Sequence, residues 1–490
     1  MRLNTRASIL MFALAAVSAQ AQVWVKPVAP GVVYRMEVDL SVPRIVHALR
    51  YSFGAPGLSL KTELGGGSVF AETASKGRET MTEMAARTGA IAAINGDYFP
   101  FTGDPLGTMV RDGKLLSSPG RGRAVIGWGT RSAAVGRVSF RGTVEAAGTA
   151  SELKGINEDC PENGMVLNTE TAGFAVAKTP NVHAVIKMDP ADWSPNGVYT
   201  GEMAYLFADN PKLPIQPGNA VVTAHGTQAE VLKTWVPGQR ITFKFESGGL
   251  DWTKVDQVMG GGPFLIRDGA ISVDAANQGF NDAFAKKRHP RTAMGKTANG
   301  DLWIVVIDGR QKMSDGATLE EAARVMQRLG CVDAVNLDGG GSSAINILGL
   351  TLNRPSDGKE RPVANGVVLL GPKPELVSIP LLFKVPDKLV LGSASTLQVT
   401  DESGKPIPNA EVLWSAMGDA WIDQGGLVRP MQKGRAEVAA YARGQVFRAK
   451  LEIVEPEKQV VSNRKPVVVS RAKTGRGSVS KKGRRAAGIR

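Results

Sequence analysis

The stretch TLEEAARVMQRLGCVDAVNLD, residues 318–338, predicts a helix, a tight turn and a buried strand in succession. Thr318 and Glu321 have the spacing of a capping box, in which each side chain accepts a hydrogen bond from the other residue's backbone N–H. Apolar residues follow at helical spacing, and Gly330 can end the helix in the left-handed conformation. The apolar run after this glycine predicts a strand that ends at Asn336-Leu337-Asp338.

The same pattern occurs earlier in the chain, over residues 80–97. A capping box that begins at Thr80, a closing glycine at Gly89 and a short apolar run again lead to an Asn-x-Asp sequence, Asn95-Gly96-Asp97. Because ligands tend to bind beyond the carboxyl ends of strands, we expect the two repeated strand tips to face one shared site. The alternative is that both are ordinary helix–strand units whose Asn and Asp side chains only cap turns.

A glycine-rich loop, Gly339-Gly340-Gly341-Ser342-Ser343, directly follows Asp338. Glycines leave backbone N–H groups accessible, successive N–H groups form an anion-binding concavity, and the two hydroxyl groups add donors. Asp338 would supply a negative charge or an acid/base group at the rim. The alternative is an ordinary tight turn, which has a similar sequence.

Arginines occur in two further polar segments. Asp308-Gly309-Arg310 follows the apolar run 302–307, which has the composition of a central strand, and Arg291 precedes Thr292-Ala293-Met294-Gly295. A guanidinium group can bind phosphate or carboxylate through two parallel hydrogen bonds. The alternative for Asp308 and Arg310 is a structural ion pair.

The sequence lacks the signatures of three common hydrolase classes. It contains no G-x-S-x-G nucleophile turn, no P-loop and no H-E-x-x-H helix. Its four histidines do not have the spacing of metal ligands. The remaining aspartates, arginines, amides and backbone donors suit an oxygen-rich substrate that is phosphorylated or glycosidic.

These segments together resemble the phosphodiester glycosidase family. The stretches that carry the resemblance are AINGDYF (93–99), VMGGGP (258–263), RTAMG (291–295), DGRQ (308–311), NLDGGGSS (336–343), NRPSDG (353–358) and RPVAN (361–365). The resemblance implies an α+β fold, with a β-rich, mixed-sheet catalytic domain and a few flanking helices. It also implies hydrolysis of a sugar-1-phosphodiester of the GlcNAc-1-phosphate type, which releases the sugar and leaves a phosphomonoester.

The resemblance also implies a set of site residues. The expected catalytic residues are Asp338, Asp308 and Asp97, and the expected substrate-binding residues are Asn95, Arg291, Arg310, Asn336, Gly339, Gly340, Gly341 and Ser342. Of these, Asp97 is predicted from the repeat and not from the resemblance, since relatives often have glycine at its position, and the three glycines are predicted from the loop. The arginines and the loop would hold the phosphodiester, while the carboxylates would act as acid, base or charge stabiliser. The sequence requires no cofactor. Some relatives use a divalent cation such as calcium, but no ligand set for one is identified in this sequence.

The first 21 residues predict a secretory signal peptide. Arg2 and Arg6 precede a short apolar stretch, and Ala19-Gln20-Ala21 has the small residues of a cleavage site. The alternative is an N-terminal membrane anchor. No later apolar run is long enough to cross a bilayer as a helix. We therefore expect an exported protein, periplasmic or secreted, whose glycosidase domain spans residues 22–371.

Two further segments are expected after the Gly-Pro-Lys-Pro linker at 371–374. Residues 372–456 have strand-sized runs separated by turns and resemble bacterial immunoglobulin-like modules, for which a spacer or adhesion role is favoured. Residues 457–490 form a basic tail, predicted to be disordered, with eleven Lys or Arg and no acidic residue after 457, in a chain of net charge +13. This tail is either a solvated extension or a tether to a polyanion such as nucleic acid, lipopolysaccharide or acidic glycan.

The sequence therefore predicts an exported hydrolase that acts on a phosphorylated glycan at the cell surface or outside the cell. With 43% hydrophobic residues the chain has enough apolar content for a sizeable core. The first alternative is a non-catalytic glycan-binding or envelope-assembly protein, and the second is a phosphodiesterase of nucleic acid or lipid headgroups. Whether Cys160 and Cys331 pair is left open, as is the oligomeric state.

Overall fold

The structure is a computed structural model that describes residues 21–71, 77–100, 102–118 and 122–456. The predicted signal peptide, apart from Ala21, and the predicted basic tail lie outside the described residues. One compact unit extends to Val454, and of the second unit, Glu455–Arg490, only the first two residues are described. Within the described ranges, no helix has both the length and the apolar character needed to cross a membrane.

The largest sheet of the site region has eight antiparallel strands. In spatial order they are Gln22–Ala29, Val32–Asp39, Arg44–Tyr51, Leu302–Ile307, Arg291–Thr297, Cys331–Asn336, Phe264–Arg267 and Ala270–Ile271. Both faces of its centre are covered, one by the main apolar core and the other by the helix Leu319–Arg328. This double burial explains why Leu302–Ile307 is apolar throughout, as predicted for a central strand.

Two five-stranded sheets flank the site. The first contains Leu350–Thr351, Ile345–Ile347, Ala92–Asn95, Asn365–Leu370 and Ser59–Leu64, and the helix Met81–Thr88 packs on it. The second contains Lys114–Ser117, Met109–Arg111, Gln257–Gly260, Ala124–Trp128 and Ala133–Arg137. The first Asn-x-Asp tip therefore lies in a different sheet from the second.

A second eight-stranded sheet lies between the two halves of the repeat in sequence and has a core of its own. Its strands are Thr149–Leu153, Ser139–Ala146, Arg240–Gly248, Gly197–Ala208, Asn181–Met188, Asn219–His225, Met165–Asn168 and Gly155–Ile156, with Phe174–Val176 and Lys212–Pro214 paired beside them. Remaining short helices are Thr227–Leu232, Asp282–Lys286, Gly65–Gly67, Glu170–Ala172, Ala276–Gln278, Gly340–Ser342 and Asn409–Glu411.

The C-terminal strands form three small sheets around a separate core that buries Trp414. The strands are Leu381–Lys384, Lys388–Val390, Ser395–Thr396, Gln398–Asp401, Val412–Gly418, Ala420–Ile422, Leu427–Pro430, Gly434–Ala442 and Gln445–Val454. They belong to the same compact unit as the preceding sheets. The domain boundary at 371 and the immunoglobulin-like topology stay predictions, while the β-rich character of the chain is confirmed.

Both halves of the predicted repeat are present. Thr80 and Thr318 each begin a helix with a complete capping box. Gly89 and Gly330 follow the helices with φ values of 70° and 84°, in the left-handed region that favours glycine. The strand of the first half begins at Ala92, two residues later than the sequence pattern suggests. Cys160 and Cys331 are both free thiols, so they do not form a disulfide.

Candidate active site

The two repeated strand tips meet. The Asn95 side-chain amide donates a hydrogen bond of 2.7 Å to the backbone carbonyl of Asp338, and the Asp338 N–H donates one of 2.9 Å to the Gly96 carbonyl. The predicted convergence is therefore confirmed, although the two strands belong to different sheets. This junction joins the backbones that carry the two aspartates, and the charge of Asp338 acts on the carboxyl group of Asp97.

Asp97 is buried, with 2% of its surface exposed. Its carboxylate accepts hydrogen bonds of 2.7 Å from the backbone N–H groups of both Tyr98 and Gly107. Burial nevertheless raises the pKa of Asp97 to about 7, and the nearby charge of Asp338 also raises it, against those hydrogen bonds. Asp97 therefore holds a proton at a pH where an exposed aspartate would be ionised.

Asp338 has only intermediate exposure, and its charge acts on the carboxyl group of Asp97. It accepts a 2.8 Å hydrogen bond from the Gly339 N–H and another from the Ser342 hydroxyl. Burial raises the pKa of Asp338 to about 6 in spite of these bonds. Carboxyl groups whose pKa values lie near neutrality are chemically suited to acid/base catalysis.

Asn336 orients Tyr98, a residue that the sequence did not single out as part of the site. The fully buried Asn336 amide donates to the Tyr98 hydroxyl at 2.7 Å, and this hydroxyl donates to the Gly262 carbonyl at 2.8 Å. Burial and the charge of Asp338 raise the pKa of Tyr98 well above its usual value, so the phenol remains protonated. The predicted Asn336 thus acts in the structure by holding an aromatic ring.

The side-chain amide of Asn95 makes hydrogen bonds within the chain through both its nitrogen and its oxygen. Its side-chain oxygen accepts hydrogen bonds from the Thr292 hydroxyl at 2.8 Å and the Ala344 N–H at 3.1 Å. With the bond to Asp338, both ends of the amide are satisfied. Asn95 therefore fixes the backbone that carries a carboxylate; its predicted contact with substrate stays a prediction.

The glycine-rich loop lies against two arginines. A Cβ atom at Gly340, where φ is +63°, would lie 3.1 Å from Arg310 Nη2, and one at Gly341 would lie only 2.0 Å from Arg361 Nη2. Any larger residue at position 341 would displace the Arg361 guanidinium. Glycine is needed here because it lets cationic groups approach the backbone beside Asp338.

Arg361 was not singled out as a site residue, although it lies in one of the stretches that carry the family resemblance. Its guanidinium also binds Asp357 at 2.7 Å, and its charge lowers the pKa of Asp338. Arg310 is exposed and has a φ of +60°, and its Nη2 lies 3.3 Å from His289 Nδ1. Both guanidinium groups thus reach the loop from solvent-accessible positions.

The backbone N–H groups of the loop bind within the chain. Those of Gly339, Gly340 and Ser342 donate to Asp338 Oδ1, the Pro290 carbonyl and the Gly339 carbonyl, at 2.8, 2.9 and 3.2 Å. These N–H groups are therefore already satisfied. Their predicted contact with a bound anion stays a prediction. The side chains of Arg310 and Arg361 are exposed and are therefore more accessible to an anion than these N–H groups.

A third guanidinium lies over an aromatic surface beside Asp97. The Arg123 carbon Cζ is 5.3 Å from the centroid of the Tyr98 ring and 4.7 Å from that of Phe280. The charge of Arg123 lowers the pKa of Asp97. Arg123 and Phe280 lie outside the repeat and outside the stretches that carry the family resemblance, so no local sequence pattern indicates either residue.

Arg291 is buried among backbone carbonyls, with 1% of its surface exposed. Its Nε donates to the Ala317 carbonyl at 2.9 Å, and its Nη2 donates to the Phe284 carbonyl at 2.6 Å. Burial lowers the pKa of Arg291 to about 10. These contacts give Arg291 a structural role, and its predicted role as a phosphate ligand stays a prediction.

Asp308 lies in a separate buried cluster. Its carboxylate accepts from the Asn353 amide at 3.2 Å and the Arg354 N–H at 3.1 Å, and lies 3.4 Å from His47 Nε2. Asn353 also donates to the carbonyl of Ser343 at 3.1 Å, which links this cluster to the glycine-rich loop. Asp308 is not shown next to the Asp97–Asp338 pair, so its predicted catalytic role stays a prediction.

Among the residues that the structure describes, no three His, Cys, Asp or Glu side chains are grouped so as to hold a metal ion.

Comparisons with curated proteins point to one family. Residues 157–370 match the family model described as phosphodiester glycosidase. The chain is 34% identical over 211 residues to the SPbeta prophage-derived uncharacterized protein YomE of Bacillus subtilis, an alignment that covers 43% of this chain and 28% of YomE. It is 27% identical over 157 residues to N-acetylglucosamine-1-phosphodiester alpha-N-acetylglucosaminidase of Bos taurus, covering 30% and 26% of the two chains.

The chain thus spans about a quarter of the length of these curated relatives. Among solved structures, a hypothetical protein from Synechocystis superposes with a TM-score of 0.61 at 21% identity, over 72% of this chain and 64% of that one. At this identity the likeness concerns the fold alone. The family match confirms the resemblance predicted from the motifs: residues 157–370 of this chain are similar to the phosphodiester glycosidase family.

Proposed function

We propose that this chain hydrolyses a sugar-1-phosphodiester, releasing the sugar and leaving a phosphomonoester. The observation that carries the proposal is the meeting of Asp97 and Asp338 at two hydrogen-bonded strand tips, where burial raises the pKa values of the carboxyl groups to about 7 and about 6. The name of the bovine relative, which contains an N-acetylglucosamine-1-phosphodiester, supports the substrate class.

In the proposed reaction Asp97 is the general acid and Asp338 is the general base. Asp97 has the higher pKa and therefore carries the proton. It donates this proton to the phosphate oxygen as the bond between that oxygen and the anomeric carbon breaks. A water molecule adds to the anomeric carbon and gives its proton to Asp338, so the products are the free sugar and a phosphomonoester.

The guanidinium groups of Arg310 and Arg361 bind the phosphate in this proposal. Both lie over the glycine-rich loop, beside Asp338, and both are exposed to solvent. Arginine suits this task because it stays charged and can donate two parallel hydrogen bonds to phosphate oxygens. Arg123, Tyr98 and Phe280 offer an aromatic and cationic surface against which the sugar or the group beyond the phosphate can pack.

We further propose that the protein is exported and acts on a phosphorylated glycan at the cell surface or outside the cell. The support is the signal-peptide pattern of residues 1–21. Sequencing the N-terminus of the protein recovered from a bacterial periplasm or medium tests the export step. A first residue of Gln22 is expected, and a retained Met1 would contradict cleavage.

The test of activity uses the purified full chain and UDP-GlcNAc, in which the anomeric oxygen of GlcNAc is bonded to a substituted phosphate. Free GlcNAc is the expected product. Release of GlcNAc-1-phosphate would instead favour the phosphodiesterase alternative, and binding without turnover would favour the glycan-binding alternative. In water enriched in ¹⁸O, the label is expected in the sugar; label in the phosphate would contradict attack at carbon.

A further inference from the structure

The C-terminal strands, residues 381–454, are fixed to the rest of the compact unit by apolar and polar contacts. Leu413, Trp421 and Tyr441 belong to the same apolar core as the face of the large sheet. The Ser415 hydroxyl donates to the Thr351 carbonyl at 2.5 Å, and Arg448 Nη2 donates to the Gly349 carbonyl at 2.9 Å. These strands are therefore not attached through a linker alone.

One residue, Arg354, joins these strands to the candidate active site. Its Nη2 donates to the carbonyl of Gly418, the last residue of the strand Val412–Gly418, at 2.7 Å. Its Nη1 donates to Gln311 Oε1 at 2.9 Å, and its own carbonyl accepts from Gln311 Nε2 at 2.9 Å. Arg354 thus binds a C-terminal strand with one nitrogen and Gln311 with the other.

Gln311 directly follows Arg310, whose guanidinium lies over the glycine-rich loop. The turn that carries both residues is closed by hydrogen bonds from the Arg310 N–H to the Asp315 carbonyl at 3.3 Å and from the Gln311 N–H to the Ser314 carbonyl at 3.1 Å. Arg310 has a φ of +60°, a conformation that a residue with a side chain keeps only when its surroundings impose it. Contacts that hold Gln311 therefore also hold Arg310.

We infer that the C-terminal strands are a working part of the site, because through Arg354 they fix the turn that places Arg310 beside the glycine-rich loop. Arg354 is then a positioning residue for binding of a substrate phosphate. The kinetic consequence rests on the proposed function, whereas the effect on the turn does not. This assigns the C-terminal region a role that its predicted use as a spacer does not include.

The test compares Arg354→Ala with Arg448→Ala in the full chain. Each variant removes one arginine hydrogen bond to a backbone carbonyl between the C-terminal strands and the rest of the unit. Only Arg354 also contacts Gln311, so Arg448→Ala is a matched control for docking of the strands. Hydrogen exchange of a peptide covering residues 308–316 measures the turn, and a urea titration confirms that both variants fold.

We expect exchange in this peptide to rise about tenfold in Arg354→Ala and to stay at the wild-type rate in Arg448→Ala, as for loss of one hydrogen bond of a charged group. With UDP-GlcNAc, Arg354→Ala should raise KM about tenfold with little change in kcat, since a contact made equally in the ground state and the transition state is weakened. Hydrolysis of an aryl glycoside of GlcNAc, which lacks the phosphate, should be unaffected. Arg354→Lys should restore at most part of the exchange protection, since one amine cannot replace both guanidinium contacts.

Equal exchange in the two variants, or an equal rise of KM, would overturn the inference. If the wild-type protein does not turn over the substrate, the proposed function fails, and the exchange comparison still decides whether Arg354 holds the turn. In that case, faster exchange in Arg354→Ala alone would still support the role of Arg354 in holding the turn. The two failures are therefore distinguishable.

Discussion

The side-chain amide of Asn95 donates a 2.7 Å hydrogen bond to the backbone carbonyl of Asp338. This bond joins two strand tips that lie far apart in sequence and in different sheets. Because both ends of the Asn95 amide are satisfied, the bond fixes the backbone on which the carboxylate of Asp338 is carried. The geometry of the carboxylate pair therefore depends on a buried amide that need not contact a ligand.

Asn95→Ala should destabilise the protein and lower its activity. The substitution leaves the Thr292 hydroxyl and the Ala344 N–H without their acceptor, at a cost of about 1–3 kcal/mol for buried groups. Urea unfolding measures the stability, and sugar release measures the activity. Thr88→Ala, which removes a side-chain bond to the Met84 carbonyl at the end of a helix, is a control distant from the pair. An unchanged unfolding free energy in Asn95→Ala would contradict the structural role.

The pH profile of kcat/KM should be bell-shaped, with its maximum between about 6 and about 7. Activity falls below this range as Asp338 gains a proton and can no longer act as base. It falls above the range as Asp97 loses the proton that it donates. A profile that stays flat from pH 5 to pH 8 would exclude this assignment of acid and base.

The same pKa values predict how stability changes with pH. Both groups have pKa values raised above the ordinary 3.8, so the folded state binds more protons than the unfolded state between about pH 4 and pH 7. Their contribution to stability is therefore present below about pH 4 and is lost as pH rises towards 7. As pH rises over this range, the urea midpoint of the wild type should fall relative to that of Asp97→Asn. A difference that is independent of pH would show that the pKa of Asp97 is not raised on folding.

Arg123→Gln should move the alkaline limb of the pH profile to higher pH. The charge of Arg123 lowers the pKa of Asp97, so its removal lets the acid keep its proton at higher pH. The shift is read from kcat/KM between pH 6 and pH 9. Arg131→Gln, an exposed arginine in a turn, is the control and should leave the limb unchanged. A shift to lower pH in Arg123→Gln would contradict the electrostatic account.

Gly341→Ala should act through Arg361. The added Cβ would lie 2.0 Å from Arg361 Nη2, so the guanidinium must move away from the loop. We expect KM for the phosphodiester to rise about tenfold in Gly341→Ala and by a similar factor in Arg361→Ala. In the double variant the two effects should not add. Once one change has removed the Arg361 guanidinium from the loop, the other has no further effect on phosphate binding. Additive effects would indicate that the glycine acts by another route.

Much of this architecture was accessible from the sequence because local signals agree with the tertiary structure. Capping boxes at Thr80 and Thr318 and the glycines that follow the helices located both halves of the repeat. The common Asn-x-Asp ending then predicted the meeting of the tips. Such signals are strong because each rests on backbone geometry that few residue types can satisfy.

The remaining parts of the site depend on contacts between distant segments. Arg123 and Phe280 lie far from Tyr98 in sequence and come near it only in the folded chain. The sequence around each of them has no pattern that marks it as a site residue. Conversely, Asp308 follows a buried strand just as a site residue would, yet its carboxylate binds His47 and Asn353. The sequence placed this aspartate at a strand end but did not specify its partners.

The central claim is that Asp97 and Asp338 act as one acid/base pair. Its most direct test is kcat/KM for sugar release by Asp97→Asn, Asp338→Asn and the double variant, each shown to be folded. Each single substitution should lower kcat/KM about 10²-fold or more, and the double variant should be little worse than the poorer single variant. Losses that multiply, or a folded single variant with wild-type activity, would contradict the claim.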